Sequence, residues 1–459
     1  MDNPQPAIPR SSLVKDLVIP VTLFASLGAF SWAIRGESGF GAVPGCMFAG
    51  LLWASAWYLL SRETSTVKSR RYNLGWCLFA IMVGIGLEGM HGWMVWPKWV
   101  TGFFDVINGG AKTIPLDPGW GYAWFFIAGT PWAGMGAVFL AWTGSKTPLN
   151  QKDWIIRIVF GVSGGLIALG LFYAVPQLFL PYYGTLLNYS DPTCTGCAHA
   201  LANNRTAILL FGIYLGFLAY EVYRKDWLNV KLIATVGFVA GGLWSLFQVI
   251  QYLPAFFSTY SFNWWRIWES NAGVAIGIAY GLAYYLCNRP LAPGDPLQRD
   301  EPFTKHPNYE QFWMYATLIV GLGWAINNGV KGFDNIYFGN DNSLTQPTFF
   351  PVVIVGALLI IYTYLSIRKN PIQRGEQRDP MPKYITFFCI IFFTTRALGL
   401  MVTQPLTAWP EFAFFMYYII LAVFSMVILV AWFEICKVEN ACGLPISIKT
   451  TNRHASQED

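Results

Sequence analysis

Twelve windows of this chain are each predominantly apolar over about the twenty residues that a helix needs to cross roughly 30 Å of hydrocarbon. They run approximately 16–35, 41–61, 73–95, 120–143, 154–181, 205–223, 230–257, 269–288, 310–328, 348–367, 384–403 and 409–435. Only 12% of the 459 residues are charged, against about a quarter in an ordinary soluble domain. So few charges cannot coat a soluble globule of this size. The fold class expected is therefore all-α: a polytopic integral membrane bundle of about twelve transmembrane helices. Windows five, seven and twelve are overlong, which suggests tilt, interfacial extension, or a kink at Pro176 or Pro254.

Short loops retain Lys and Arg on the cytoplasmic side of a membrane. Here the basic clusters alternate in one sense: Arg62, Lys68, Arg70 and Arg71 follow window two, Lys146 and Lys152 follow four, and Arg224 and Lys225 follow six. Arg289, Arg299 and Lys305 follow eight, and Arg368, Lys369, Arg374 and Arg378 follow ten. Every even window is thus expected to end in the cytoplasm, with both termini there too. A plasma membrane is implied, most simply a bacterial inner membrane, with lipids as the surrounding partner. The net charge of +5 is spread over these clusters and forms no basic domain, so no nucleic-acid partner is expected.

The expected divisions are a cytoplasmic segment 1–15, helices one to eight over 16–288, a polar linker 289–309, helices nine to twelve over 310–435, and a cytoplasmic tail 436–459. Trp32-Ala33-Ile34 before Gly39-Phe40 is echoed by Trp324-Ala325-Ile326 before Gly332-Phe333. Repeated helical hairpins and chance recurrence in a Gly- and Trp-rich chain explain this equally well.

Polar side chains inside a spanning helix cost a few kcal/mol on insertion scales, so each is a candidate for function. Counted along the windows, Arg35, Glu88, His91, Gln177, Gln248, Gln251, Asn327, Asn328 and Arg396 fall in the outer third. Glu37, Trp268, Glu269, Asn271 and Glu411 start the even helices at the same level, where Glu37 and Glu411 would equally well reach out to headgroups. The cytoplasmic halves read as nearly free of charge. Such a layer implies a cavity open to the outside. Arg35, Gln248, Gln251, Trp268, Glu269, Asn271, Trp324, Asn327, Asn328 and Arg396 are the expected substrate-binding set. Glu88 and His91, three apart on one helix face, suit proton handling better than metal, because Glu-x-x-His metal sites need a second copy. No metal or other cofactor is expected.

Cys194 and Cys197, with His199 nearby, lie in an outer loop where a small disulfide is expected over zinc. Cys46, Cys77 and Cys389 read as packing, and sequons stand at Asn188 and Asn204. Tryptophans crowd the outer ends; an interfacial belt accounts for most, while ring platforms beside Asn, Gln and Glu suit a sugar. No phosphate loop, nucleophile elbow or dinucleotide fingerprint is present. Two functions follow as expectations. The first is a secondary transporter for a small polar, sugar-like solute, coupled to protons. The second is a membrane-embedded enzyme or receptor acting on a glycan or lipid at the outer leaflet, which dry cytoplasmic halves would favour.

Overall fold

The computed structural model describes residues 13–37, 42–62, 71–72, 75–88, 95–147, 149–257, 263–288, 307–337, 344–370 and 409–441. Apolar windows become helices: α1 (Ile19–Glu37, entered through a π-turn at Val14–Val18), α2 (Ala42–Arg62), α3 (Trp76–Glu88), α4 (Trp96–Val100), α5 (Gly119–Trp142) and α6 (Gln151–Ala174). They continue as α7 (Thr195–Tyr223), α8 (Trp227–Phe247), α9 (Leu253–Phe256), α10 (Trp264–Cys287), α11 (Pro307–Tyr337), α12 (Thr345–Lys369) and α13 (Trp409–Ala441).

Seven of these stretches are long and apolar enough to cross a bilayer: Val14–Arg35, Gly119–Trp142, Gln151–Ala174, Thr195–Tyr223, Trp227–Phe256, Thr345–Lys369 and Trp409–Ile435. Gly45–Ser61 and Trp76–Glu88 are shorter apolar helices. The windows at 269–288 and 310–328 are helical within α10 and α11, and the window at 384–403 lies outside the described residues. The described residues are thus mostly helical and include helices long and apolar enough to cross a membrane. Exposed apolar side chains on α6 (Ile155, Ile158, Val162, Leu166) and α12 (Val353, Leu358, Ile361, Leu365) suit contact with lipid.

Glycine sets how closely the helices approach. Gly273, Gly277 and Gly281 recur every four residues and so share one face of α10. A Cβ at Gly273 would lie 2.0 Å from the Gly28 carbonyl oxygen, and one at Gly277 2.2 Å from that of Phe24. The backbones of α1 and α10 therefore touch directly, as small residues permit in lipid. Across α6 and α7, a Cβ on Gly164 would meet the Gly212 oxygen at 2.3 Å, and one on Gly216 the Phe160 oxygen at 2.2 Å.

Both overlong windows with internal prolines break. Window five ends as helix at Ala174, because Pro176 drives Val175 to φ −135°, ψ 63°, outside the helical region. Window seven ends as α-helix at Phe247, tightens into a 3-10 turn at Gln248–Tyr252, and restarts at α9 with Pro254 in its first turn.

The purely helical expectation needs one correction. Phe103–Ile107 (β1) and Lys112–Pro115 (β2) pair antiparallel, with Phe104 opposite Ile114 and Asp105 opposite Thr113. Gly109 and Gly110, at φ +85° and +79°, supply the left-handed turn that the Asn108-Gly109-Gly110 sequence encodes.

Candidate functional site

Four helices converge on one buried ion pair, and a fifth joins through a cluster of rings. Arg35 is in the last turn of α1, and its Nη1 donates to Glu269 Oε2, near the start of α10, at 3.0 Å. The two side chains are 9% and 6% exposed, so neither charge is solvated by bulk water. Arg35 Nε also donates to Cys46 Sγ of α2 at 3.1 Å, giving that thiol a polar partner beyond the packing role expected of it. The guanidinium carbon sits 4.5 Å from the ring centre of Trp32 and 5.0 Å from that of Trp132 of α5, within cation–π range of both.

The rings continue inward as a cluster. Trp132 packs edge-on to Trp244 of α8 at 5.0 Å, and Trp244 lies 6.2 Å from Trp268. Trp268 Nε1 donates to Gln248 Oε1 at 2.8 Å, while Gln248 Nε2 donates to the Trp244 carbonyl at 3.0 Å. Gln248 can turn this way because it stands in the break after α8. Within the cluster the indole N–H groups of Trp32 and Trp244 are buried without an acceptor among the described residues, as is Gln251 Nε2 farther along the same 3-10 turn. Each unpaired donor costs about 1–3 kcal/mol. Ring faces with surplus donors and a guanidinium suit a solute rich in acceptor oxygens.

Neighbouring pairs tie α10 to α13. Arg266 Nη1 donates to Glu411 Oε2 at 2.8 Å, and the Ser270 and Tyr417 hydroxyls meet at 2.8 Å. Glu411 is therefore paired inside the protein instead of reaching for headgroups; the Glu37 side chain lies outside the described residues.

The opposite end of the bundle is not dry, which corrects the sequence expectation. Arg157 of α6 donates to Glu221 of α7 at 2.8 Å, with side-chain exposures of 1% and 2%. Glu221 Oε2 accepts from Asn229 Nδ2 at 2.9 Å, and Tyr72 bonds to Asn229 Oδ1. Asp226 caps α8 and gathers Arg71 Nη1 at 2.5 Å and the Lys146 backbone N–H at 2.7 Å. Arg71, whose position marks topology in the sequence, is thus also a structural cation.

Several expected site residues lie elsewhere. Asn271 donates to the Ile267 carbonyl of its own helix at 2.7 Å. Trp324 and Asn327 border an apolar groove of about 470 Å³ between α11 and α12. Glu88 is buried at the end of α3 with no polar partner among the described residues. His91 and Arg396 lie outside those residues, as does the side chain of Asn328, so the Glu88–His91–Arg396 grouping remains an expectation.

Cys194 and Cys197 are joined by a disulfide at the start of α7. Just before it, the Thr193 hydroxyl and backbone N–H both donate to Asp191, holding its carboxyl below the ordinary value. The sequon residue Asn204 is buried, accepting from Trp96 Nε1 and donating to the Phe179 carbonyl, so its amide is not presented for glycosylation. The tryptophans are mainly internal: Trp32, Trp53, Trp57, Trp96, Trp99 and Trp124 are almost fully buried, while Trp409 faces out as a belt residue would. Compared with protein-family models, curated proteins and solved structures, this chain matches none, so its own geometry carries the functional argument.

Proposed function

We propose that the chain is a secondary active transporter for a small polar, sugar-like solute, proton-coupled through Glu88. In this reading it spans a bacterial plasma membrane twelve times with both termini cytoplasmic. The solute site lies among Arg35, Glu269, Gln248, Trp132, Trp244 and Trp268. The observation that carries the reading is a buried polar network at each end of one bundle, joined through α8. Asn229 and Gln248 are nineteen residues apart on that rod, about 28 Å at 1.5 Å per residue. Alternating access needs a closure between the solute site and the far side of the membrane, and the Arg157–Glu221–Asp226 network can serve as that closure. The helix break at Gln248 adds support, since transporters build solute sites from interrupted helices. An outer-leaflet enzyme has no use for the second network, and the dry inner half that favoured it is replaced by Arg157, Glu221, Asp226 and Asn229.

Orientation is tested by single cysteines. A cysteine at Lys112 or Thr185 should react with an impermeant maleimide in intact cells, and one at Lys152 or Lys225 only after permeabilisation. The reverse pattern would turn the outer site inward and defeat the proposal.

A further inference from the structure

Outside the helical bundle, α4, β1 with the turn that follows it, and the start of α7 line a cavity of about 220 Å³. The hairpin is held against α7 by contacts that leave no room for slippage. A Cβ at Gly196 would lie 1.6 Å from the Asp105 carbonyl oxygen, and the Asn108 backbone N–H donates to Thr195 Oγ1 at 2.9 Å. The Cys194–Cys197 disulfide brackets that glycine. The cavity is therefore framed by fixed elements.

Its polar lining is mixed in sign. Lys98 Nζ donates to Asp105 Oδ2 at 2.6 Å, and the ammonium keeps further protons to give, its side chain being 47% exposed. Asp105 Oδ1 is buried and accepts from no donor among the described residues. The Asn108 amide donates to His199 Nδ1 at 2.8 Å. Trp99 and Phe104, stacked at 5.5 Å, form the apolar part of the wall.

We infer that this cavity binds a single neutral polyhydroxylated ring, of the size and chemistry of a monosaccharide. A hydroxyl both donates to the Asp105 carboxylate, whose side chain is 18% exposed, and accepts from Lys98, and several such groups on one ring serve both ends of the pair together. An anion is repelled by the Asp105 carboxylate. A cation competes with Lys98 for the carboxylate. The C–H face of a ring suits the aromatic wall. The volume of about 220 Å³ admits one such ring. This site is distinct from the Arg35–Glu269 cluster and binds whether or not the bundle moves solute.

The test is isothermal titration of the full-length detergent-solubilised protein with D-glucose, D-galactose, D-mannose and myo-inositol, and with choline as the cationic control. At least one of the four polyols should bind to Glu269→Gln, in which the central cluster is disabled, and at least tenfold more weakly when Asp105→Asn or His199→Ala is added to that variant. His199 is exposed, so its variant reports on the site without risking the fold. In the Glu269→Gln background, no binding of any polyol, choline binding in their place, or polyol binding that survives both cavity substitutions overturns the assignment. Binding lost in Glu269→Gln alone places the sugar in the central cluster, which also overturns it while leaving the transport reading intact.

Discussion

Glu269→Ala should destabilise the folded protein by about 3–5 kcal/mol and abolish solute flux, because it leaves the Arg35 guanidinium buried with its carboxylate gone. The Cys46 thiol at 3.1 Å and the faces of Trp32 and Trp132 remain, but neither carries a compensating charge. The double variant Arg35→Met with Glu269→Met removes both charges and keeps the volume filled, so most of the lost stability should return. Flux should not return with it. Chemical denaturation in detergent reads the first quantity and uptake into proteoliposomes the second. A double variant that is both stable and fully active would make the pair a structural strut and take Arg35 and Glu269 out of the solute site.

The second large effect is expected at the other end. Asp226→Ala removes at one stroke the partner of Arg71, the acceptor of the Lys146 N–H and the cap of α8. Loss of the pair costs about 3–5 kcal/mol, since its side chains are only 1% and 3% exposed, and loss of the cap about 1 kcal/mol more. Asp226→Asn keeps the cap and part of the hydrogen bonding while removing the charge, and should fold. In that variant the closure at this end is weakened, so solute should leak down its gradient without proton coupling. A folded Asp226→Asn protein with wild-type coupling would show that this network only holds the helices together.

Much of this arrangement could be read from sequence because lipid imposes a coarse rule: an apolar run of sufficient length has to be a helix. Proline marked both breaks in advance, since Pro176 and Pro254 cannot continue a helix without cost. Arg35, Gln248, Trp268 and Glu269 were selected by depth alone, and four of the chosen residues do meet. That Arg35 would find Glu269, 234 positions away, was not legible, because it depends on α1 and α10 closing through glycine. Arg157 and Glu221 were missed although IIRIVF and LAYEVY place each charge alone in an apolar run, the same signal that singled out Arg35. Their nearness to the basic clusters disguised them as helix ends. The hairpin was missed for a different reason: Asn108-Gly109-Gly110 is a turn signal, but its flanking strands are too short to stand out between long helices.

The central claim is that solute crosses the membrane unchanged, driven by protons through Glu88. Its most direct test is reconstitution of purified wild-type and Glu88→Gln protein in proteoliposomes, following a radiolabelled solute from the polyol titration under an imposed pH gradient and recovering it chemically afterwards. Wild type should accumulate intact solute above its external concentration. Glu88→Gln, which keeps size and hydrogen bonding without the titration, should bind and exchange it yet only equilibrate. Recovery of chemically altered solute without uptake would contradict transport itself, and undiminished pH-driven accumulation by Glu88→Gln would contradict the role of that carboxyl.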